Sequence, residues 1–131
     1  MNDLRSIPAY LMRGGTSKGL VFHKKDLPND RNLLTEYLLK IMGSPDIRQI
    51  NGIGGGTSVT SKVCIISKSL EKNVDIDYFF AQVEVDRKHV DYAPTCGNML
   101  SALGPFAIEE GLVETCNAVS YTHLTLPTRY R

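Results

Sequence analysis

The chain has few cysteines, almost no net charge and no long apolar run, and each absence excludes a class of protein. Its three cysteines, Cys64, Cys96 and Cys116, are an odd number without metal-ligand spacing, which argues against a disulfide framework and a zinc site. No apolar run could cross a bilayer, and residues 1–10 lack the basic and apolar regions of a secretory signal. A net charge of +1 gives no electrostatic footprint for nucleic acid or a membrane surface. We therefore expect a cytoplasmic protein with no nucleic-acid or membrane partner.

What is present fits one modest unit of the α/β class. The chain has 131 residues, 42% of them hydrophobic, and is too short for two ordinary domains. At 31–42, apolar side chains recur at helical spacing between Asp30, an expected N-cap, and Gly43, an expected stop. Alternating patterns predict mainly antiparallel strands at 7–12, 20–23, 63–67, 74–85 and 88–92. In the fourth strand the apolar phase changes at 79–81, which predicts a bulge or bend.

The stretch 95–111, TCGNMLSALGPFAIEEG, places Cys96 before a helix that is apolar on nearly every side. Such a helix has to be surrounded by other structure, and Gly104 with Pro105 should bend or interrupt it. The first N–H groups of a helix lack partners and lie at the positive end of its dipole, so a cysteine there tends towards the reactive thiolate. The alternative is that Cys96 only packs in the core, as isolated cysteines usually do.

Two loops rich in glycine and hydroxyl side chains are candidates for binding an anion. At 13–18, RGGTSK, adjacent glycines could form a backbone nest for a carboxylate between the cations Arg13 and Lys18. A hairpin turn whose hydroxyls cap their own backbone explains the same residues. At 51–61, NGIGGGTSVTS, a second loop ends at Lys62 and a β-prone segment, which fits neither a P-loop nor a Rossmann fingerprint. We interpret it as a flexible anion-binding loop that delivers Lys62, and a solvated lysine at a strand end is the alternative.

Three motifs in a fixed order resemble the PrpF-like branch of the diaminopimelate epimerase superfamily. They are MRGGTSKG at 12–19, INGIGGGTSVTSKV at 50–63 and PTCGNMLSALGPFAIEEGL at 94–112. The resemblance implies a diaminopimelate epimerase-like lobe, a curved sheet wrapped around a central apolar helix. It also implies a full protein of two such lobes, with the active site in the cleft between them. Catalytic roles for Cys96 and Lys62 follow from the same resemblance.

The substrate pocket implied by the resemblance has walls from all three motifs. Among these residues, Gly97 lets a ligand approach the backbone closely, and Asn98 can donate or accept a hydrogen bond. The substrate-binding residues expected are Arg13, Gly14, Gly15, Thr16, Ser17, Lys18, Ser61, Gly97, Asn98 and Met99.

The combination of a cysteine with positive charge predicts proton transfer beside a carboxylate. Such chemistry needs a base and fixed positive potential around the developing enediolate, which Cys96 and Lys62 with the glycine loops would supply. We therefore expect an isomerase or tautomerase of an unsaturated di- or tricarboxylate that uses no metal, flavin or pyridoxal phosphate. The motifs are nearer to the oxalomesaconate tautomerase-like members, with Asn51 and Thr95 as departures. A 2-methylaconitate cis–trans isomerase, an amino-acid epimerase with a second cysteine, and a non-catalytic anion-binding lobe are the alternatives.

The final residues do not resemble the rest of the chain. VSYTHLTLPT at 119–128 resembles a translated sequencing-library adapter. We therefore expect residues 1–118 to form a native N-terminal lobe and 119–131 to be a non-native tail, with a short native strand as the alternative. On this expectation the second lobe is missing and the fragment alone is inactive. The full-length protein is then a candidate homodimer.

Overall fold

In residues 4–114, five strands form one mixed sheet, and helices cover both of its faces. The computed structural model describes residues 4–114, so the tail at 119–131 lies outside them. In sheet order the strands are β1 Tyr10–Gly14, β2 Ser17–His23, β3 Lys62–Lys68, β4 Ile76–Val83 and β5 Val90–Asp91. The α-helices are α1 Arg31–Met42, α2 Gly97–Leu100 and α3 Leu103–Glu109. Only β2 and β3 pair in parallel among these strands, which confirms the expected α/β class with mainly antiparallel strands. Within the described part, no helix is long and apolar enough to cross a membrane.

Helix α1 begins and ends where the local signals predict. The side chain of Asp30 accepts a hydrogen bond from the N–H of Leu33 at 2.9 Å, and Gly43 ends the helix with a φ of 88°. Its buried face covers one side of the sheet and consists of Leu34, Leu38, Leu39 and Met42. The helix also connects β2 to β3, and a crossover of this kind is what a parallel pair of strands requires.

Successive residues of the central strands are buried on opposite faces of the sheet. On β3, Val63 and Ile65 belong to the apolar cluster that includes α1, whereas Cys64 and Ile66 belong to the cluster that includes α2 and α3. This separation follows from the two-residue period of a strand. Every side chain on β3 from position 63 to 66 is therefore in one of two cores.

The bulge predicted in β4 is absent from the described strand. Its pairing with β3 runs in unbroken register from Lys62 opposite Gln82 to Lys68 opposite Ile76, so the predicted bulge is wrong and the alternative of a bend stays a prediction. The apolar phase changes because Phe80 packs towards α2 and α3, whereas the next residue, at 81, packs towards α1. Both faces are covered, so two apolar neighbours need no extra residue between them.

The apolar helix after Cys96 is divided into two short helices. The N–H groups of Ser101 and Ala102 bond to carbonyls three residues back, where an α-helix would reach four back. Pro105 has no N–H, and its ring clashes with a helical carbonyl four residues earlier, at Ser101, which explains the interruption there. In the described chain, α3 buries Phe106 against the sheet and leaves Ile108 40% exposed. Residues 4–114 therefore cover one side of this helix pair.

Candidate active site

The turn between β1 and β2 is shorter than predicted. Gly14 pairs with Ser17 in the strand ladder, so only Gly15 and Thr16 form the turn, with Gly15 at a φ of 55°. A backbone nest at this turn would therefore be limited to the N–H groups of Gly15 and Thr16. The hairpin ends in exposed turn residues close to α2.

The tip of this hairpin packs directly on the start of α2. A methyl group on Gly14 would lie 2.8 Å from Cα of Met99, closer than non-bonded atoms approach, so a side chain there would displace the helix. Across the same contact, Nδ2 of Asn98 donates a hydrogen bond to Oγ1 of Thr16 at 2.9 Å. The structure thus joins the first and third motifs of the sequence.

Cys96 lies immediately before α2 and beneath the hairpin. Its side chain is 9% exposed, and its sulfur lies 3.8 Å from Oγ of Ser17, which is 2% exposed. The adjacent Gly97 is exposed, and apart from its chain neighbours and its own helix backbone no atom lies within 4 Å of the position a side chain would take there. A small ligand can therefore approach Cys96 from the side of Gly97.

Lys62 places a positive charge on the sheet face that carries Cys96. By strand alternation Lys62 shares its face with Cys64, which belongs to the same apolar cluster as Cys96. Its Nζ donates to Oε1 of Gln82 at 2.7 Å and lies 5.3 Å from the centre of the Phe80 ring. No ion pair between Lys62 and a carboxylate occurs in residues 4–114. The half-buried ammonium therefore has no neutralising partner among them.

Helix α2 is too short to be the main source of positive potential. It contains four residues, a single turn, whereas the dipole grows with the number of aligned peptide units. The uncompensated charge of Lys62 is the stronger electrostatic feature on this face. The catalytic role of Cys96 stays a prediction, and Lys62 replaces the helix dipole as the expected source of positive potential on this face.

The second described cysteine, Cys64, has a different environment from Cys96. Its side chain is fully buried in the sheet, and this burial raises the pKa of the Cys64 thiol to about 12. Cys64 is therefore a protonated core residue, as the apolar strand predicts. Across residues 4–114, no group of three or more His, Cys, Asp or Glu side chains could hold a metal ion.

The glycine-rich loop at 51–61 is packed around the side chain of Gln49. This residue is 1% exposed and donates to the hydroxyls of Ser44 at 3.1 Å and Ser61 at 2.7 Å. Its Oε1 accepts from the N–H of Gly56 at 2.8 Å. A methyl group on Gly54 would collide with the same amide. The glycines make room for a buried side chain, and the predicted flexibility and anion binding of this loop stay predictions.

Four of the predicted binding residues are fully buried or lie on the sheet face opposite Ser17. Ser61 is fully buried and donates to a backbone carbonyl of β4 at 2.8 Å, and Met99 is fully buried in the apolar cluster. Arg13 and Lys18 pair across β1 and β2, and strand alternation directs both away from the face that carries Ser17. The expectation that these four residues bind substrate stays a prediction, and the geometry of residues 4–114 adds no support to it.

Two residues that contact the site are missing from the prediction. Tyr78 donates from its hydroxyl to the carbonyl of Cys96 at 3.4 Å, and burial raises the pKa of this hydroxyl, which keeps it a donor. Gln82 is the partner of Lys62 described above. Both lie on β4 at even spacing with Phe80, so alternation alone places the three on one face. Which face meets Cys96 depends on pairing with β3, which no local pattern specifies.

The described fold matches that of a solved isomerase. A crystal structure of a methylitaconate-delta-isomerase superposes with a TM-score of 0.82 at 46% identity, over 85% of this chain and 29% of that one. The chain is 56% identical over 112 residues to the 4-oxalomesaconate tautomerase of Pseudomonas putida, covering 86% of this chain and 31% of that protein. It is 46% identical over 114 residues to the 3-methylitaconate isomerase of Eubacterium barkeri, covering 87% and 30%.

These relatives are named as isomerases and a tautomerase. The chain also matches the sequence model of one protein family. The model of the PrpF protein matches residues 4–125, which is most of the sequence. The chain belongs to the PrpF family. It spans about a third of the length of the curated relatives described above.

Proposed function

We propose that this chain supplies the cysteine and lysine of an isomerase that moves a proton on an unsaturated di- or tricarboxylate. One observation carries the proposal: the nearly buried thiol of Cys96 and the uncompensated ammonium of Lys62 lie on the same sheet face. The relatives add support, because their names give oxalomesaconate and methylitaconate as the compounds they act on. A carboxylate is the group that a half-buried cation attracts.

The proposed reaction is a proton transfer between two carbon atoms of the substrate. The thiolate of Cys96 removes a proton from a carbon that is α or allylic to a carboxylate, and the electron pair moves into an enediolate. The ammonium of Lys62 stabilises the negative charge that develops. The Cys96 thiol returns the proton to another carbon, which gives an allylic shift or a keto–enol tautomer and regenerates the thiolate. No atom is gained or lost.

A polar wall beside Cys96 is the proposed site for one substrate carboxylate. The exposed amide of Asn98 and the hydroxyl of Thr16 lie next to the open space at Gly97. Ser17 is nearer to the sulfur and is buried, so its proposed role is to hold the thiol in place. This arrangement keeps Thr16, Ser17, Gly97 and Asn98 as binding residues, with the glycines at the hairpin tip allowing the close approach.

The complete protein is proposed to have two diaminopimelate epimerase-like lobes, of which residues 1–118 are the first. Two facts support this proposal. The relatives are about three times as long as the matched segment. The outer side of α2 and α3 exposes Pro105 and the apolar Ile108. In the complete protein this helix pair would be central, and residues 119–131 would be replaced by native sequence.

The substrate proposed first is 4-oxalomesaconate, because the P. putida tautomerase is 56% identical to the chain. Methylitaconate or methylaconitate is the second candidate, since the two relatives named for these compounds are each 46% identical. All of these compounds are unsaturated carboxylic acids, so the proton-transfer step is the same in kind.

A chimera tests the proposal without the rest of the gene. The matched segment of this chain would replace the corresponding residues of the P. putida tautomerase. NMR would follow deuterium incorporation from D₂O into 4-oxalomesaconate. We expect exchange in the chimera and a loss of at least about a hundredfold in its Cys96→Ala variant. Cys64→Ala, which removes the buried thiol of the same face, is the matched control and should retain exchange. Undiminished exchange in Cys96→Ala would remove Cys96 from the mechanism.

A further inference from the structure

Gln82 connects the ammonium of Lys62 to the backbone of the glycine-rich loop. Its Oε1 accepts from Nζ of Lys62 at 2.7 Å, and its Nε2 donates to the carbonyls of Ser58 at 2.9 Å and Ser61 at 3.0 Å. A carbonyl can only accept a hydrogen bond and an ammonium can only donate one. The side-chain amide of Gln82 therefore satisfies all three partners only with its oxygen towards Lys62 and its nitrogen towards the two carbonyls. The side chain is therefore fixed by contacts at both of its ends.

The position of Gln82 in the sheet makes this contact part of the strand pairing. Gln82 lies directly opposite Lys62 in the register of β3 and β4, where side chains on one face are neighbours. Phe80 precedes it by two residues on the same face, and its ring lies under the Lys62 ammonium. A neutral amide oxygen and an aromatic ring both attract a cation and leave its charge in place.

We propose that Gln82 is a positioning residue that fixes the ammonium of Lys62 on the Cys96 face and leaves its charge available to an anionic substrate. The catalytic part of this inference rests on the proposed function. A carboxylate in the same place would also hold the lysine, but it would neutralise the charge that a substrate carboxylate needs. The proposal therefore predicts opposite effects for an apolar and an acidic replacement.

Competitive acetylation of lysines measures the positioning directly and needs no catalysis. The full chain is treated with trace acetic anhydride, and peptide mass spectrometry gives the acetylation rate of Lys62 relative to the exposed Lys40 on α1. Gln82→Met keeps the side-chain length and removes both hydrogen-bonding groups, so we expect this ratio to rise about tenfold. Gln82→Glu keeps the acceptor and adds a charge, so the ratio should fall below the wild-type value. Asn32→Asp adds the same charge on the exposed surface of α1 and is the control. It should leave the acetylation ratio unchanged.

Circular dichroism identifies the variants that fold, and one folded variant of Gln82 is sufficient for the test. A wild-type acetylation ratio in a folded Gln82→Met or Gln82→Glu chain would overturn the proposal. This readout stands even if the chimera described above is inactive, which would overturn only the proposed function.

Steady-state kinetics of an active chimera give the second readout. Gln82→Met should lower kcat by about tenfold with a smaller change in KM, because it frees a group that acts in the transition state. Gln82→Glu should raise KM for the anionic substrate by about tenfold or more, since the new carboxylate competes for Lys62. Wild-type kcat and KM in both variants would overturn the positioning role while leaving the proposed function intact.

Discussion

The β1–β2 hairpin tip and the loop at 51–61 are alike in composition and different in role. Both combine adjacent glycines with serine and threonine. At the hairpin, Gly14 allows the backbone to approach the start of α2, and the turn borders Cys96. In the loop, Gly54 makes room for the buried amide of Gln49. Glycine with hydroxyl residues thus predicts close backbone packing, but it does not specify whether the partner belongs to a site or to the interior.

The largest expected effect on stability comes from the loop. Gln49→Ala leaves the N–H of Gly56 without its acceptor, removes the donor to the hydroxyls of Ser44 and Ser61, and opens a cavity. We expect the free energy of unfolding to fall by about 2–4 kcal/mol, as measured by urea denaturation of the full chain. Asn51→Ala, an exposed change in the same loop, should alter it by less than about 0.5 kcal/mol. Equal stabilities of the two variants would show that Gln49 does not hold the loop.

Two glycine-to-alanine substitutions near the hairpin should distinguish an effect on helix packing from an effect on reagent access to Cys96. Gly14→Ala forces a methyl group into Met99, so we expect about 1–3 kcal/mol of lost stability and faster iodoacetamide alkylation of Cys96. Gly97→Ala meets open space, so stability should hardly change while alkylation becomes slower. Changes of the same sign in the alkylation rate would contradict the proposed direction of approach.

Threonine-to-valine changes compare one hydroxyl from each region. Thr16 accepts from Asn98 at 2.9 Å, and Thr57 is paired with Thr60 at 2.8 Å. Each substitution should cost about 0.5–1.5 kcal/mol, because each removes the hydrogen bonds of one exposed hydroxyl. Only Thr16→Val should change the rate at which iodoacetamide alkylates Cys96, as measured on the peptide that contains Cys96. An equal change in Thr57→Val would mean that the loop also borders the site.

The smallest expected effect is on the pH dependence of the free energy of unfolding. It comes from contacts of the β1–β2 hairpin strands, and the loop at 51–61 does not contribute. Glu110, just after α3, accepts from Tyr10 of β1 and pairs with His23 of β2, and these hydrogen bonds lower the pKa of the Glu110 carboxyl. A pKa lowered by folding contributes stability above the unfolded value of about 4.5, and this contribution is lost as the pH falls through the folded value. Glu110→Gln should remove this part of the acid dependence in urea titrations at pH 3–6. An unchanged dependence would assign it to other carboxylates.

The fold could be predicted where the signals are local. Asp30 and Gly43 define α1 because an N-cap and a left-handed C-cap are properties of a few adjacent residues. The bulge in β4 was predicted wrongly because Phe80 and the residue after it face two different cores, and a single sequence does not reveal that both sheet faces are covered.

The site was predictable only in part from the residues themselves. Cys96 stands out because glycine and a helix follow it, and the three motifs associate it with Lys62 through a family resemblance. Gln82 and Tyr78 were missed because their role depends on the register of β4 against β3. The packing of Gln49 is likewise a non-local contact that the glycines alone do not specify.

Alkylation of Cys96 with and without the lysine tests most directly whether the two side chains act together. Iodoacetamide rates at pH 7 are measured for the Cys96 peptide in the wild-type chain, in Lys62→Met and in Lys40→Met, which removes an exposed charge on the opposite side of the sheet. The account predicts that Lys62→Met slows alkylation by about three- to tenfold, the effect of roughly 1 kcal/mol of charge–charge attraction, while Lys40→Met keeps the wild-type rate. Equal rates in all three proteins would contradict it.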